Sequence, residues 1–142
     1  APDLIPPPRY HGAVTRELLY IAVAGALGSL SRFGVARLVE RLAGDALPWG
    51  TLVANVAGCL LIGLAMELLF GAELLPRAAR TAVTVGFLGA FTTFSTFSYQ
   101  TVALAQDGSY GAAGLNIGLN LTLCIAATVG GLALGRALVG GS

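Results

Sequence analysis

The sequence predicts an all-α integral membrane protein with a single domain, and three observations carry that reading. Of 142 residues 56% are hydrophobic and 11% charged, with a mean hydropathy of +0.80, too apolar and too weakly charged for a water-soluble domain of this size. Apolar runs recur four times, each about 20 residues or longer and so long enough to cross a bilayer core. Short polar connections separate them. The approximate spans are 17–39, 48–69, 80–105 and 110–136, in a membrane domain 16–142 that follows a Pro-rich tail, 1–15. An even number of spans puts both termini on one side.

The same composition excludes several functions. A net charge of +1, with eight basic residues that are all Arg and form no stripe, leaves no field for nucleic acid. The single histidine, His11, sits in the tail, and the scattered acids supply no nucleophile, base and orienting group together, so no enzyme is expected. Cys59 and Cys124 lie in the middle of different apolar runs and read as small hydrophobes. A metal held by that pair needs further ligands, which the sequence does not offer.

Taken in order, the tail contains Pro2, Pro6, Pro7 and Pro8, and reads as extended through Val14. The first span carries a small-residue face, Gly25, Gly28 and Ser29, suited to close helix contact, and is interrupted by Arg32. Gly44, Asp45 and Pro48 make the first loop, with Trp49 at headgroup level. In the second span Thr51, Asn55, Gly58 and Ile62 fall on one helical face, and a buried Asn there needs a partner. Glu67, Glu73, Pro76, Arg77 and Arg80 form a polar connection.

The third span is apolar enough to cross a membrane but is a poor helix at its centre. Gly86-Phe87-Leu88-Gly89-Ala90-Phe91-Thr92-Thr93-Phe94-Ser95-Thr96-Phe97-Ser98 combines glycines with hydroxyls that compete for backbone hydrogen bonds. Non-helical backbone at membrane depth is tolerated only where protein buries it or a wet cavity meets it. We therefore expect a break at Gly89 to Thr92 whose freed carbonyls and hydroxyls serve an ion. Asp107-Gly108-Ser109 is a tight turn, and Asn116, Asn120 and Cys124 follow at i, i+4, i+8 as a polar line on the fourth span.

Arg9, Arg16, Arg77, Arg80 and Arg136 lie on the side of the termini, against Arg37 and Arg41 on the other. The bias favours termini inside, but it is weak enough for insertion both ways. Four helices are few to enclose a polar pore, so a dimer is expected. Each polar feature also has a structural reading: Arg32 snorkelling to the interface, Asn55 tying two helices, Asn116 and Asn120 packing, and the phenylalanines facing core or lipid.

Three motifs, Ala24-Gly25-Ala26-Leu27-Gly28-Ser29-Leu30-Ser31-Arg32-Phe33, Gly50-Thr51-Leu52-Val53-Ala54-Asn55-Val56-Ala57-Gly58 and the Gly86 to Ser98 string, resemble the bacterial fluoride channels of the CrcB/Fluc family, in family order and spacing. The resemblance implies an antiparallel, dual-topology dimer of four-helix subunits in the cell inner membrane, passively exporting fluoride. It further implies a structural sodium ion at the dimer axis, held by the backbone carbonyls of Gly89 and Thr92. Phe94 and Phe97 match the pore-lining rings, Asn55 the pore amide, and Ser95 and Thr96 lie where hydroxyls follow the ion. Arg32 matches a first-helix arginine at the pore mouth or in a structural contact. Asn116 and Asn120 occupy a track that is often Tyr and Ser in the family, and Gln100 stands where Glu is frequent. These departures leave homodimer and heterodimer with a paralogous subunit both open. The competing readings are a small multidrug-type dual-topology exporter, which needs an intramembrane carboxylate, and a non-conducting assembly subunit.

Overall fold

The computed structural model describes residues 10–71 and 75–140, and every regular element in them is helical. Most of the Pro-rich tail, residues 1–9, lies outside the described residues, as does Glu73 of the second connection. Helix α1 runs Tyr10–Ala43. It therefore begins earlier than residue 17 and takes up the part of the tail from Tyr10 that was expected to be extended. The reason is local: no proline follows Pro8 before Pro48, so nothing stops the helix from continuing N-terminally. At its other end Gly44 takes φ +76° and returns its N–H to Glu40 O at 3.0 Å, a left-handed cap that only glycine adopts cheaply.

Helix α2 spans Trp49–Ala65 after Pro48 and continues through a wider, π-type turn, Met66–Gly71. The third unit has two parts. Helix α3, residues 77–91, includes a π-type stretch Ala82–Leu88, and helix α4 is Phe94–Gln106. Between them the backbone is extended at Thr92 (φ −88°, ψ 158°) and Thr93 (φ −153°, ψ 109°). Gly89 is helical (φ −62°, ψ −35°), so the break falls at Thr92 and Thr93 rather than starting at Gly89. Helix α5 runs Tyr110–Gly140 after a turn in which Gly108 has φ +78°.

Contacts between helices fix the topology. Along α2 and α5, Asn55 meets Asn120, Cys59 and Cys124 line one cavity, Gly63 meets Thr128, and Glu67 meets Arg136. Both numbers rise together, one helical turn per step as far as Gly63 and Thr128, so the two helices run parallel. The unit between them must then run back. Along α1, Gly86 approaches Ala24, Phe87 approaches Gly28, and Gln100 shares a cleft with Glu40, so α1 is parallel to the third unit. Gly50 sits against Ala36 across the α1–α2 hairpin. The result is an up-down-up-down bundle with residues 10–16, 66–71, 75–80 and 136–140 at one end.

Close approach explains part of the glycine content. A Cβ at Gly131 would collide with Leu60 O, and one at Gly63 with Thr128 O, so α2 and α5 touch backbone to backbone. The burial pattern is inverted relative to a soluble protein. Asn116 and Asn120 are 3% and 5% exposed, whereas Leu30, Phe33 and Ile125 are 67%, 61% and 65% exposed. Apolar side chains outside and amides inside suit a hydrocarbon solvent. Among the described residues three helices are long and apolar enough to cross a membrane: Val14–Ala43, Trp49–Phe70 and Tyr110–Gly140. The third unit is divided by its break, so neither piece reaches that length.

Candidate functional site

The break is built by competition for backbone hydrogen bonds. Thr92 N and Thr92 Oγ1 both donate to Leu88 O at 3.1 Å, which closes the last turn of α3. Thr93 N–H, which would serve the Gly89 carbonyl in a continuous helix, donates instead to Asn55 Oδ1 at 2.8 Å. Asn55 Nδ2 donates back to Thr93 O at 3.3 Å. One amide side chain thus satisfies both backbone groups of an extended residue buried to 8% exposure. Thr93 then caps α4, its Oγ1 accepting from Thr96 N at 3.2 Å. The carbonyls of Gly89 and Thr92 are left without the amides that a continuous helix would supply.

From Asn55 the hydrogen bonds continue in one direction. Asn55 Nδ2 donates to Asn120 Oδ1 at 3.1 Å, Asn120 Nδ2 to Asn116 Oδ1 at 3.1 Å, and Asn116 Nδ2 to Thr101 Oγ1 at 2.8 Å. Thr101 Oγ1 donates in turn to Phe97 O at 2.8 Å. The first group, Thr93 N–H, can only donate, and the last, Phe97 O, can only accept. Every amide orientation between them follows from those two ends. The chain therefore holds both ends of the helical turn that carries Phe94 and Phe97. Aligned bonds of this kind polarise one another in a low dielectric.

Beside this chain lies a cavity of about 240 Å³, open on one side, whose walls include Asn55, Thr92, Thr93, Phe94, Phe97 and Asn120. The two rings are 5.4 Å apart between centroids and tilted by 58°, with Phe97 buried at 7% exposure and Phe94 exposed at 76%. Phe91 does not join them. It lies before the break, stacked on Phe87 at 5.8 Å.

A second cavity, about 250 Å³, lies on the other side of the break. Arg32, Glu40, Thr51, Thr96 and Gln100 line it, and Thr93 is shared by both cavities. Arg32 thus faces a polar cleft between α1 and α4. The one salt bridge among the described residues is elsewhere, Arg136 Nε to Glu67 Oε1 at 2.8 Å. Ser95 is exposed and its Oγ lies 3.3 Å from Thr93 Oγ1.

The expected site residues therefore separate into two groups. Asn55, Thr92, Phe94, Phe97 and Asn120 meet at the groove, with Asn116 behind them, while Thr96 and Arg32 belong to the cleft. Gly89 is exposed on the outside of α3. No cluster of three or more His, Cys, Asp or Glu side chains exists among the described residues, and the oxygens at the break are backbone carbonyls, threonine hydroxyls and the Asn55 amide.

A family model described as CrcB-like protein, Camphor Resistance (CrcB), matches residues 19–132. The chain belongs to the CrcB family. The CrcB match includes both cavities and the break. Among curated relatives, the fluoride-specific ion channel FluC of Syntrophotalea carbinolica is 54% identical over 122 residues, covering 86% of this chain and 99% of the relative. FluC of Geobacter sulfurreducens is 47% identical over 121 residues, 85% of this chain and 98% of the relative. FluC of Aeromonas salmonicida is 44% identical over 116 residues, 82% of this chain and 93% of the relative.

Two residues of this CrcB site are not evident from the sequence pattern. Thr93 is central, and its signal is an N-cap Thr at the start of a helix. Thr101 closes the hydrogen-bond chain, and nothing local marks it, because its partner Asn116 is 15 residues away.

Proposed function

We infer that this chain is a passive, fluoride-selective channel subunit that lets cytoplasmic fluoride run down its gradient across the inner membrane. The observation that carries the reading is the groove at the break, where a pair of phenylalanine rings meets a buried amide chain in a protein 54% identical to a fluoride-specific channel. Fluoride is small and strongly hydrated, so removing its water is costly unless donors replace the shell at close range. Ring edges carry partial positive charge, and amides donate. Neither bears a full charge that would trap the ion.

The hydrogen-bond geometry supports Asn55 as the donor. Both N–H groups of Asn55 are engaged, but its bond to Thr93 O, at 3.3 Å, is beyond the usual N–H···O range. That is the bond an anion in the groove would replace. The other amides keep Asn55 oriented, so Asn116 and Asn120 act as positioning residues.

The wider assembly belongs to the same proposal. Four spans, with the broken unit as the third, give both termini one side, and a second copy inserted antiparallel covers the exposed Phe94 and Gly89 faces. A second copy of the same chain, or a paralogous subunit, fills that role. A sodium ion fits the break, because the Gly89 and Thr92 carbonyls lack helical partners and a hard cation prefers uncharged or anionic oxygen. Bound there, the ion would supply charge that holds the two breaks together. Gly89 supports this, since within the subunit a Cβ there would meet only Thr84 O at 3.7 Å, an ordinary contact. Nothing within the subunit requires glycine at 89, which leaves that face open to a second copy.

A proton-coupled multidrug-type exporter fits less well. It needs an ionisable carboxylate within the membrane, and Glu67 is already paired with Arg136 near the span end. The deciding experiment is fluoride efflux from liposomes containing only the purified chain, read with a fluoride electrode against a chloride-loaded control. Fast fluoride efflux without chloride efflux supports the channel and the homodimer. Silence from folded protein, relieved by adding a paralogous subunit, would point to the heterodimer, and silence with the partner present would point to a non-conducting subunit.

A further inference from the structure

The groove that holds the rings also carries a feature that fluoride conduction does not use. Cys59 on α2 and Cys124 on α5 both line the cavity, close enough that each thiol lies in the field of the other. Both are partly accessible, and neither is in a disulfide. They occupy the second rung of the α2–α5 ladder, one turn beyond Asn55 and Asn120 and one turn before the backbone contact of Gly63 with Thr128. Two rigid helices touching at the next rung hold the thiols at a set separation. Leu121 and Ile125 line the cavity with them, and no charged side chain does.

We propose that Cys59 and Cys124 form a two-thiolate site for a soft, thiophilic metal cation of the Cu⁺ or Hg²⁺ class, and that its occupation closes the groove. Sulfur ligands select soft ions over the hard cations that prefer oxygen. Zinc would require about four ligands, which the site lacks, whereas soft d10 ions accept two sulfurs in a line. For Hg²⁺ two S–H bonds break, two Hg–S bonds form and two protons are released, with no change of oxidation state. The bound ion sits in the cavity that also contains Phe94 and Phe97. Closure of the groove rests on the channel reading above, while metal binding does not.

The test uses the full chain in chloride-free detergent, titrated with Hg²⁺ and followed by the ultraviolet charge-transfer absorbance of mercury thiolates. Wild type is expected to take up a single ion per chain, and Cys59→Ser and Cys124→Ser are each expected to lose the two-sulfur signature. No uptake, or uptake of a separate ion by each thiol that persists in the single variants, would overturn the site. Fluoride efflux is then measured for each protein with and without Hg²⁺, every variant serving as its own control. Block in wild type and none in the double Cys→Ser variant supports closure. Unchanged flux through the metal-loaded wild type would overturn closure. Absence of flux before any metal is added would instead count against the channel reading, and the absorbance titration still decides the metal site.

Discussion

The two ends of the α2–α5 contact solve the same packing problem with opposite chemistry. At one end Asn55 and Asn120 are joined at 3.1 Å and exposed by 8% and 5%. At the other, Glu67 and Arg136 are joined at 2.8 Å, with side chains 24% and 70% exposed. The shorter, charged bond is the weaker contributor. An ion pair near water gains little after screening and side-chain ordering, whereas a buried amide that loses its partner carries its full desolvation cost. A polar contact on these helices matters according to what surrounds it, and the buried end is the one beside the rings.

The largest effect is expected at the buried end. Asn55→Leu removes both partners of Thr93 and the first acceptor of the amide chain, leaving buried groups unsatisfied at about 1–3 kcal/mol each. We expect loss of fluoride flux together with a lowered thermal midpoint, and normal flux at normal stability would contradict the role given to Asn55. Next come Phe97→Ile and Phe94→Ile, predicted to impair flux while the dimer stays intact on size exclusion. Unimpaired conduction in both variants would remove the rings from the pathway.

A bulky residue at Gly89, such as Gly89→Leu, sharpens the comparison differently. The subunit itself has space there, so the prediction is a folded chain that no longer dimerises or binds sodium, judged by cross-linking and by the sodium dependence of assembly. An unaltered dimer would remove the second copy from that face. Asn120→Leu is expected to cost about 1–3 kcal/mol and to slow flux without abolishing it, because it acts through Asn55. The smallest effect belongs to the exposed end. Glu67→Gln should change stability by about 0–1 kcal/mol and leave fluoride flux as it was, with no response to a proton gradient. A large loss there would make the ion pair part of the mechanism.

Much of this arrangement was legible in the chain. Hydropathy placed the boundaries of α2 within a few residues, and the i, i+4 spacing of Asn116 and Asn120 put them on one buried face. The poor helix propensity of the Gly86 to Ser98 string marked the broken unit. Position within that unit was less readable: Gly89, a weak helix former, stays helical, and Thr92 and Thr93, ordinary residues in propensity, become extended. The start of α1 was also misplaced, because proline density in the tail hides a proline-free stretch from Tyr10 that can be helical.

By itself, the sequence determined the solvent of this protein, the number of its apolar runs, its turns at Gly44 and Gly108, and its family. These depend on composition, local propensity and motif order, which are readable within short windows. Only the tertiary structure decided where the third unit breaks and which polar groups meet there. Asn55 reaches Thr93 across 38 residues and Asn120 across 65. When partners are that far apart, the hydrogen bond that ends a helix is a property of how α2 and α5 pack, and no local preference of Thr93 records it.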